Sequence, residues 1–138
     1  MTRYIKVEAA APSPKTAHYS HAVETGGLLF ITGLLPVDPE HPDAPLPLSI
    51  GAQTELVFRN LILITEASGY KLADTVFARI YLSHFNEDYE GLNAVFHRHF
   101  SDHNRLPSRT TVGVAKLGRD ARVEIELILT RDVTGRAS

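Results

Sequence analysis

Apolar positions in this chain come in short runs separated by turn residues. In Val23-Glu24-Thr25-Gly26-Gly27-Leu28 a Gly-Gly pair stands between two β-like runs, which predicts a hairpin with a two-residue turn. The second run, Leu28 to Ile31, is continuously apolar, as a strand buried on both faces would be. Prolines at 36, 39, 42, 45 and 47 forbid regular helix or central strand there, so this stretch reads as a long surface loop. Ser49 is placed to cap a helix in which Val57, Leu61 and Ile64 fall at i, i+4 and i+7, and Gly69 stands at its C-terminal end. Thr75 to Leu82, rich in β-branched and aromatic residues, predicts a strand. Asn86 then caps a second helix whose stripe is Tyr89, Leu92, Phe96 and Phe100. A turn around Asn104 to Pro107 leads to a strand near Thr110–Val114, and the last strand runs about Arg122 to Thr130. A short first strand is expected near residues 3–7, with His18 to His21 in the second.

The order is β-β-β-α-β-α-β-β, an α+β class with two helices packed on one face of a mixed sheet. Two helices cover one face only. The apolar positions on the other favour burial against further subunits, so an oligomer is expected.

Composition narrows the classes. At 138 residues the chain fits one domain spanning 1–138, long enough for a real core. Hydrophobic residues at 43% and charged residues at 22% are ordinary for a globular domain and leave no disordered tract. The chain contains no cysteine, which excludes disulfides, thiolate nucleophiles and cysteine metal sites, and fits a reducing cytoplasm. The first residues carry no apolar signal region and no run approaches a membrane span, so a cytoplasmic protein without membrane attachment is expected. A net charge of -2 gives no footprint for tracking a phosphate backbone, so no nucleic-acid partner is expected.

Four groups of residues invite a chemical reading. Arg109, just after Pro107-Ser108, carries a planar guanidinium that matches a carboxylate bidentately; a surface arginine at a loop end is the plainer explanation. Glu124 and Glu126 alternate with Val123, Ile125, Leu127 and Leu129, so both project from the face opposite the core. That face is either solvated or, if another subunit covers it, able to hold a water for acid–base work. His99 and His103 are four apart, the spacing zinc enzymes use on a helix, but no third ligand accompanies them and no metal is expected. A favourable effect at a helix C-terminus accounts for His97, His99 and His103. Gly33 permits close backbone approach to a ligand, or a turn that needs positive φ.

Three segments in order resemble the RidA/YjgF/UK114 family of reactive-imine deaminases. They are His18-Tyr19-Ser20-His21-Ala22-Val23, Phe30-Ile31-Thr32-Gly33-Leu34-Leu35-Pro36-Val37, and Leu106-Pro107-Ser108-Arg109-Thr110-Thr111-Val112-Gly113-Val114 leading to Val123-Glu124-Ile125-Glu126. Asn60-Leu61, Tyr81-Leu82, and Asn93 before Phe96 and Phe100 also match, so the likeness covers nearly the whole chain. The resemblance implies a chorismate-mutase-like fold, assembled as a homotrimer whose sheets form a central barrel with clefts between subunits. It implies hydrolysis of 2-imino acids, or their enamine tautomers, to 2-keto acids and ammonia, with no cofactor.

Carried over, Arg109 would clamp the substrate carboxylate and Glu124 would position the attacking water. Tyr19 would line the cleft, Gly33 and Thr111 would offer backbone contacts, and His18, Thr32, Leu34 and Asn93 complete the substrate-binding set. The chain departs from the family pattern in four places. Ala17-His18 replaces Gly-Pro, Thr32 replaces serine, Leu34 replaces glutamine, and Thr111 stands where cysteine is frequent. A non-catalytic small-carboxylate binder on the same fold is the alternative. A nuclease acting on single strands is disfavoured by the acidic balance.

Overall fold

A computed structural model describes residues 1–14 and 18–131. Among these residues six strands and two α-helices form in the expected order: β1 (Arg3–Ile5), β2 (Ala22–Thr25), β3 (Leu28–Leu34), α1 (Ile50–Ala67), β4 (Thr75–Leu82), α2 (Phe85–His99), β5 (Ser108–Gly113) and β6 (Val123–Thr130). They make one sheet ordered β1-β2-β3-β6-β4-β5. Among the described strands only β4 and β5 are parallel, and α2 supplies the crossover that a parallel pair requires.

Local chemistry explains most of the element ends. Gly26 and Gly27 both take positive φ, +58° and +76°, the geometry of a type I′ turn. The Ser49 hydroxyl accepts from the Ala52 N–H at 3.1 Å and caps α1. At the other end, Gly69 sits at φ +86°, with its N–H on the Glu66 carbonyl and the Tyr70 N–H on the Thr65 carbonyl. That pair of bonds is a Schellman motif.

Three boundaries differ from expectation. Residues 18–21 precede β2 as loop. β5 begins at Ser108, so Arg109 lies inside the strand. α2 begins at Phe85 with His84 in the cap position, which leaves Asn86 in the first turn. Ser83 is tied to the Ala121 carbonyl and to His84, so the chain enters α2 directly from β4, and Glu87 and Asp88 in the first turn suit the helix dipole.

The core lies between the helices and one sheet face. Val57, Phe58, Leu61 and Ile64 of α1 and Leu92, Val95 and Phe96 of α2 pack in one cluster with Leu29, Ile31, Ala78, Ile80, Leu82 and the odd-numbered residues Val123 to Leu129. Tyr89, expected in the α2 stripe, is 40% exposed. Phe30, 40% exposed, lies on the uncovered face, so β3 is buried on one side within this chain. Ile31 and Leu34 are both buried although three apart. The register of β3 against β6 shifts between them, and this bulge turns both inward and sets Thr32 and Gly33 off the regular ladder. No helix among the described residues is long and apolar enough to cross a membrane.

Candidate active site

Arg109 sits on the helix side of the sheet edge. Its neighbour in register is the buried Ala78, and Thr111 is registered with Ile80, so both point toward α2. The Arg109 Nε donates to the Thr111 hydroxyl at 2.9 Å, and Nη2 donates to Asn93 Oδ1 at 2.6 Å. The guanidinium carbon lies 4.7 Å from the Phe96 ring centre and 5.8 Å from that of Tyr89. Burial pulls the Arg109 pKa below its ordinary value, while Tyr89 opposes that shift. Both hydrogen-bond acceptors are neutral, and no acid among the described residues lies within ion-pair distance. The result is a fixed, half-buried positive charge, well suited to a carboxylate.

Glu124 belongs to the opposite side. It is registered with Tyr81, and Glu126 with Arg79, on the face the helices leave uncovered. The two glutamates are not equivalent. Glu126 accepts a short hydrogen bond from the Tyr81 hydroxyl and pairs with Arg79 at 3.4 Å. Glu124 accepts no hydrogen bond from the described residues. Its carboxylate lies against Gly33, where a Cβ would stand 2.1 Å from Oε2. Gly33 therefore serves no positive-φ turn; it makes room for a carboxylate. Burial, and then the charge of Glu126, raise the Glu124 pKa. Tyr19 stands near enough for Glu124 to add to the upward shift that burial causes in its phenol, while Arg119 opposes it.

The predicted residues thus fall into two groups. Arg109, Thr111 and Asn93 form one, held together by side-chain bonds. Glu124, Gly33 and Tyr19 form the other, with Thr32 in the same bulge. The Leu34 side chain is wholly inside the core, so only its backbone is available to a ligand. His18 is exposed with φ +55°, at the start of the loop that carries Tyr19. The aromatic wall of Phe96 and Tyr89 around Arg109 is not legible as such in the sequence, where both residues read as helix stripe.

His99 and His103 share no helical face, because α2 ends at His99. His99 instead meets Glu55 at 2.8 Å and stacks on Phe58 at 4.2 Å. No cluster able to hold a metal occurs among the described residues.

Comparison with known proteins places this geometry. The family described as Endoribonuclease L-PSP matches residues 8–130. A RutC family protein of Saccharolobus solfataricus is 37% identical over 118 residues, covering 86% of this chain and 90% of the relative. The 2-iminobutanoate/2-iminopropanoate deaminase of Escherichia coli K12 is 32% identical over 114 residues, covering 82% and 87%. The crystal structure of the YjgF gene product from Escherichia coli aligns with a TM-score of 0.80 at 30% identity, covering 94% of this chain and 98% of that one. The chain belongs to the endoribonuclease L-PSP family, the group also known as RidA/YjgF.

Proposed function

We propose that this protein is a cofactor-free cytoplasmic hydrolase that converts reactive 2-imino acids to 2-keto acids and ammonia, in clefts between the subunits of a homotrimer. The observation that carries the proposal is the pair of incomplete half-sites. Among the described residues, a guanidinium without a counter-charge lies on one side of the sheet, and a carboxylate without a donor lies on the other. A second copy that brings its uncovered sheet face to the β5 edge would join them. Exposed Phe30 and Val76 give that face apolar surface to bury. The named activity of the 32%-identical relative supports the same chemistry.

In the proposed reaction, the outward N–H groups of Arg109 take the substrate carboxylate, and Asn93, Thr111 and Phe96 fix the plane of the guanidinium. The imine carbon is already electrophilic, so holding a water beside it supplies most of the acceleration. Glu124 accepts a proton from that water as oxygen bonds to the imine carbon. That proton passes to nitrogen to give a carbinolamine; Glu124 then takes the carbinolamine hydroxyl proton and delivers it to nitrogen as the carbon–nitrogen bond breaks, so that ammonia leaves and a 2-keto acid remains. A carboxyl whose pKa burial has raised is suited to both halves of that transfer. With a net charge of -2, the chain offers little to a polynucleotide.

The test is to generate 2-iminopropionate and a bulkier imino acid in situ with an amino-acid oxidase, and to follow semicarbazide trapping. Wild type should speed loss of the imine, and Arg109→Ala should lose about 10²–10³-fold in kcat/KM, the scale of one fixed charge contact on a reacting species. Native mass measurement should give three chains per particle. Absence of turnover with several imines, or full activity in Arg109→Ala, would remove the proposal.

A further inference from the structure

The N-terminal arm from Val7 to Pro12 is held by a buried imidazole. His21 is fully buried, and both ring nitrogens are engaged. The Val7 N–H meets Nδ1 at 2.9 Å, and Nε2 meets the Pro12 carbonyl at 2.9 Å. A backbone N–H only donates and a carbonyl only accepts, so the ring is neutral with its proton on Nε2. A second bond joins the arm to α1: the Ala11 N–H donates to Asn60 Oδ1 at 2.8 Å, and Asn60 Nδ2 donates to the Val37 carbonyl at 2.7 Å. The His21 carbonyl also accepts from the Thr32 N–H at 3.0 Å, in the β3 bulge that seats Glu124. Tyr19 sets its ring against the imidazole, edge to face, at 6.5 Å.

From this geometry we infer that His21 is a positioning residue and an acid-sensitive latch. Neutral, it clasps the N-terminal arm and holds Tyr19 beside Glu124; protonated, it releases both. The inference rests on the proposed function only for the consequence at Tyr19.

The physical reason is donor count. A proton added to Nδ1 would face the Val7 N–H, donor against donor, on a side chain with no solvent exposure. Burying an unpaired donor and a new positive charge together is costly, and opening the arm relieves both. The surroundings offer the charge little relief. Lys6 and Glu8 flank Val7 and are exposed, His18 is exposed three residues away, the Tyr19 ring centre is 6.5 Å off, and α1 contributes the uncharged Asn60. Protonation is therefore linked to arm release, and each pH unit below the transition should deepen opening about tenfold, as for one proton.

Two readouts on the whole protein test this. The first is amide exchange of Val7 and Ala11 from about pH 8 to pH 4, across the range in which imidazoles titrate. The second is KM for 2-iminopropionate over the same range. Wild type should lose protection at both amides with a one-proton slope, and KM should rise in step. His21→Gln keeps one acceptor and one donor without titrating, so it should flatten both curves. Equal acid loss of protection in His21→Gln would overturn the latch. If protection follows the expected course while imine turnover is absent throughout, the latch stands and the proposed activity falls. Should His21→Gln not fold, the ring nitrogen resonances of wild-type His21 decide the matter. Opening of the arm while Nδ1 stays unprotonated refutes the inference.

Discussion

The Arg109 group and the Glu124 group differ in how they are built. The first is compact in sequence and braced by side chains: Arg109 and Thr111 are two apart on β5, and Asn93 and Phe96 lie one turn apart on α2. The second is assembled from a bulge in β3, the middle of β6 and a loop before β2. A positive charge is braced on one side, while on the other a carboxylate accepts no hydrogen bond from the described residues. In the proposed reaction, orientation and reactivity would come from these separate parts of the sheet.

The sharpest way to break that division is Gly33→Ala. The added methyl would lie 2.1 Å from Glu124 Oε2, so the carboxylate must leave its seat. The expected result is a fall of about a hundredfold in kcat, the size of a lost acid–base group. KM should change little, because Arg109 is untouched. A parallel rise in KM would show that the two groups are coupled.

Asn93→Asp attacks the other side with almost no change of shape. A carboxylate against Arg109 Nη2 would neutralise the clamp, and KM should rise about tenfold or more. Inhibition by a small 2-keto acid should weaken by the same factor, with kcat less affected.

A smaller effect separates Glu124 from Glu126. Burial and the Glu126 charge hold the Glu124 proton to higher pH than an ordinary carboxyl would. As a base Glu124 must be ionised, so kcat should fall as pH drops through a limb lying above the usual carboxylate range. Glu126→Gln should move that limb down. The stability sign runs the other way. A raised folded pKa gives stability that is present below the unfolded pKa and lost as pH rises through the folded one. Glu124→Gln should therefore raise Tm at neutral pH while it lowers turnover.

Tyr70→Phe serves as a control distant from both groups. The Tyr70 hydroxyl donates to Glu24 at 2.6 Å, and Arg3 Nε meets the same carboxylate at 2.5 Å. These partners lower the Glu24 pKa to about 2, and burial with Glu24 raises that of Tyr70 to about 12. The variant should cost about 1–2 kcal/mol in denaturant unfolding and leave kcat/KM unchanged. Because the Glu24 pKa is lowered, its contribution is present above the ordinary carboxylate value and fades as pH falls toward about 2. The stability deficit of the variant against wild type should therefore be largest at neutral pH and shrink as pH falls toward about 2.

Much of the fold was legible along the chain because its signals are local. Two glycines of positive φ between β runs, a serine cap with a glycine stop, and alternation through β6 each depend on neighbours within a few residues. Arg109 and Glu124 could be nominated in the same way, by residue type and motif. Asn86 shows the limit: a good capping residue lost its place because Ser83 and His84 bring the chain into α2 two residues earlier.

Only the tertiary structure decided the rest. The sheet order sets β6 between β3 and β4, and that adjacency brings Gly33 under Glu124 and ties Glu126 to Tyr81 and Arg79. Sequence alternation puts both glutamates on one face and cannot say which is free. It also cannot show that Arg109 and Glu124 take opposite faces, since that depends on the register of two strands with β4. Nor could it tell that His21 would close on Val7 and Pro12. Turn and cap energies are settled within a few residues, whereas strand order, bulge position and the pairing of buried polar groups follow from contacts between segments far apart in the chain.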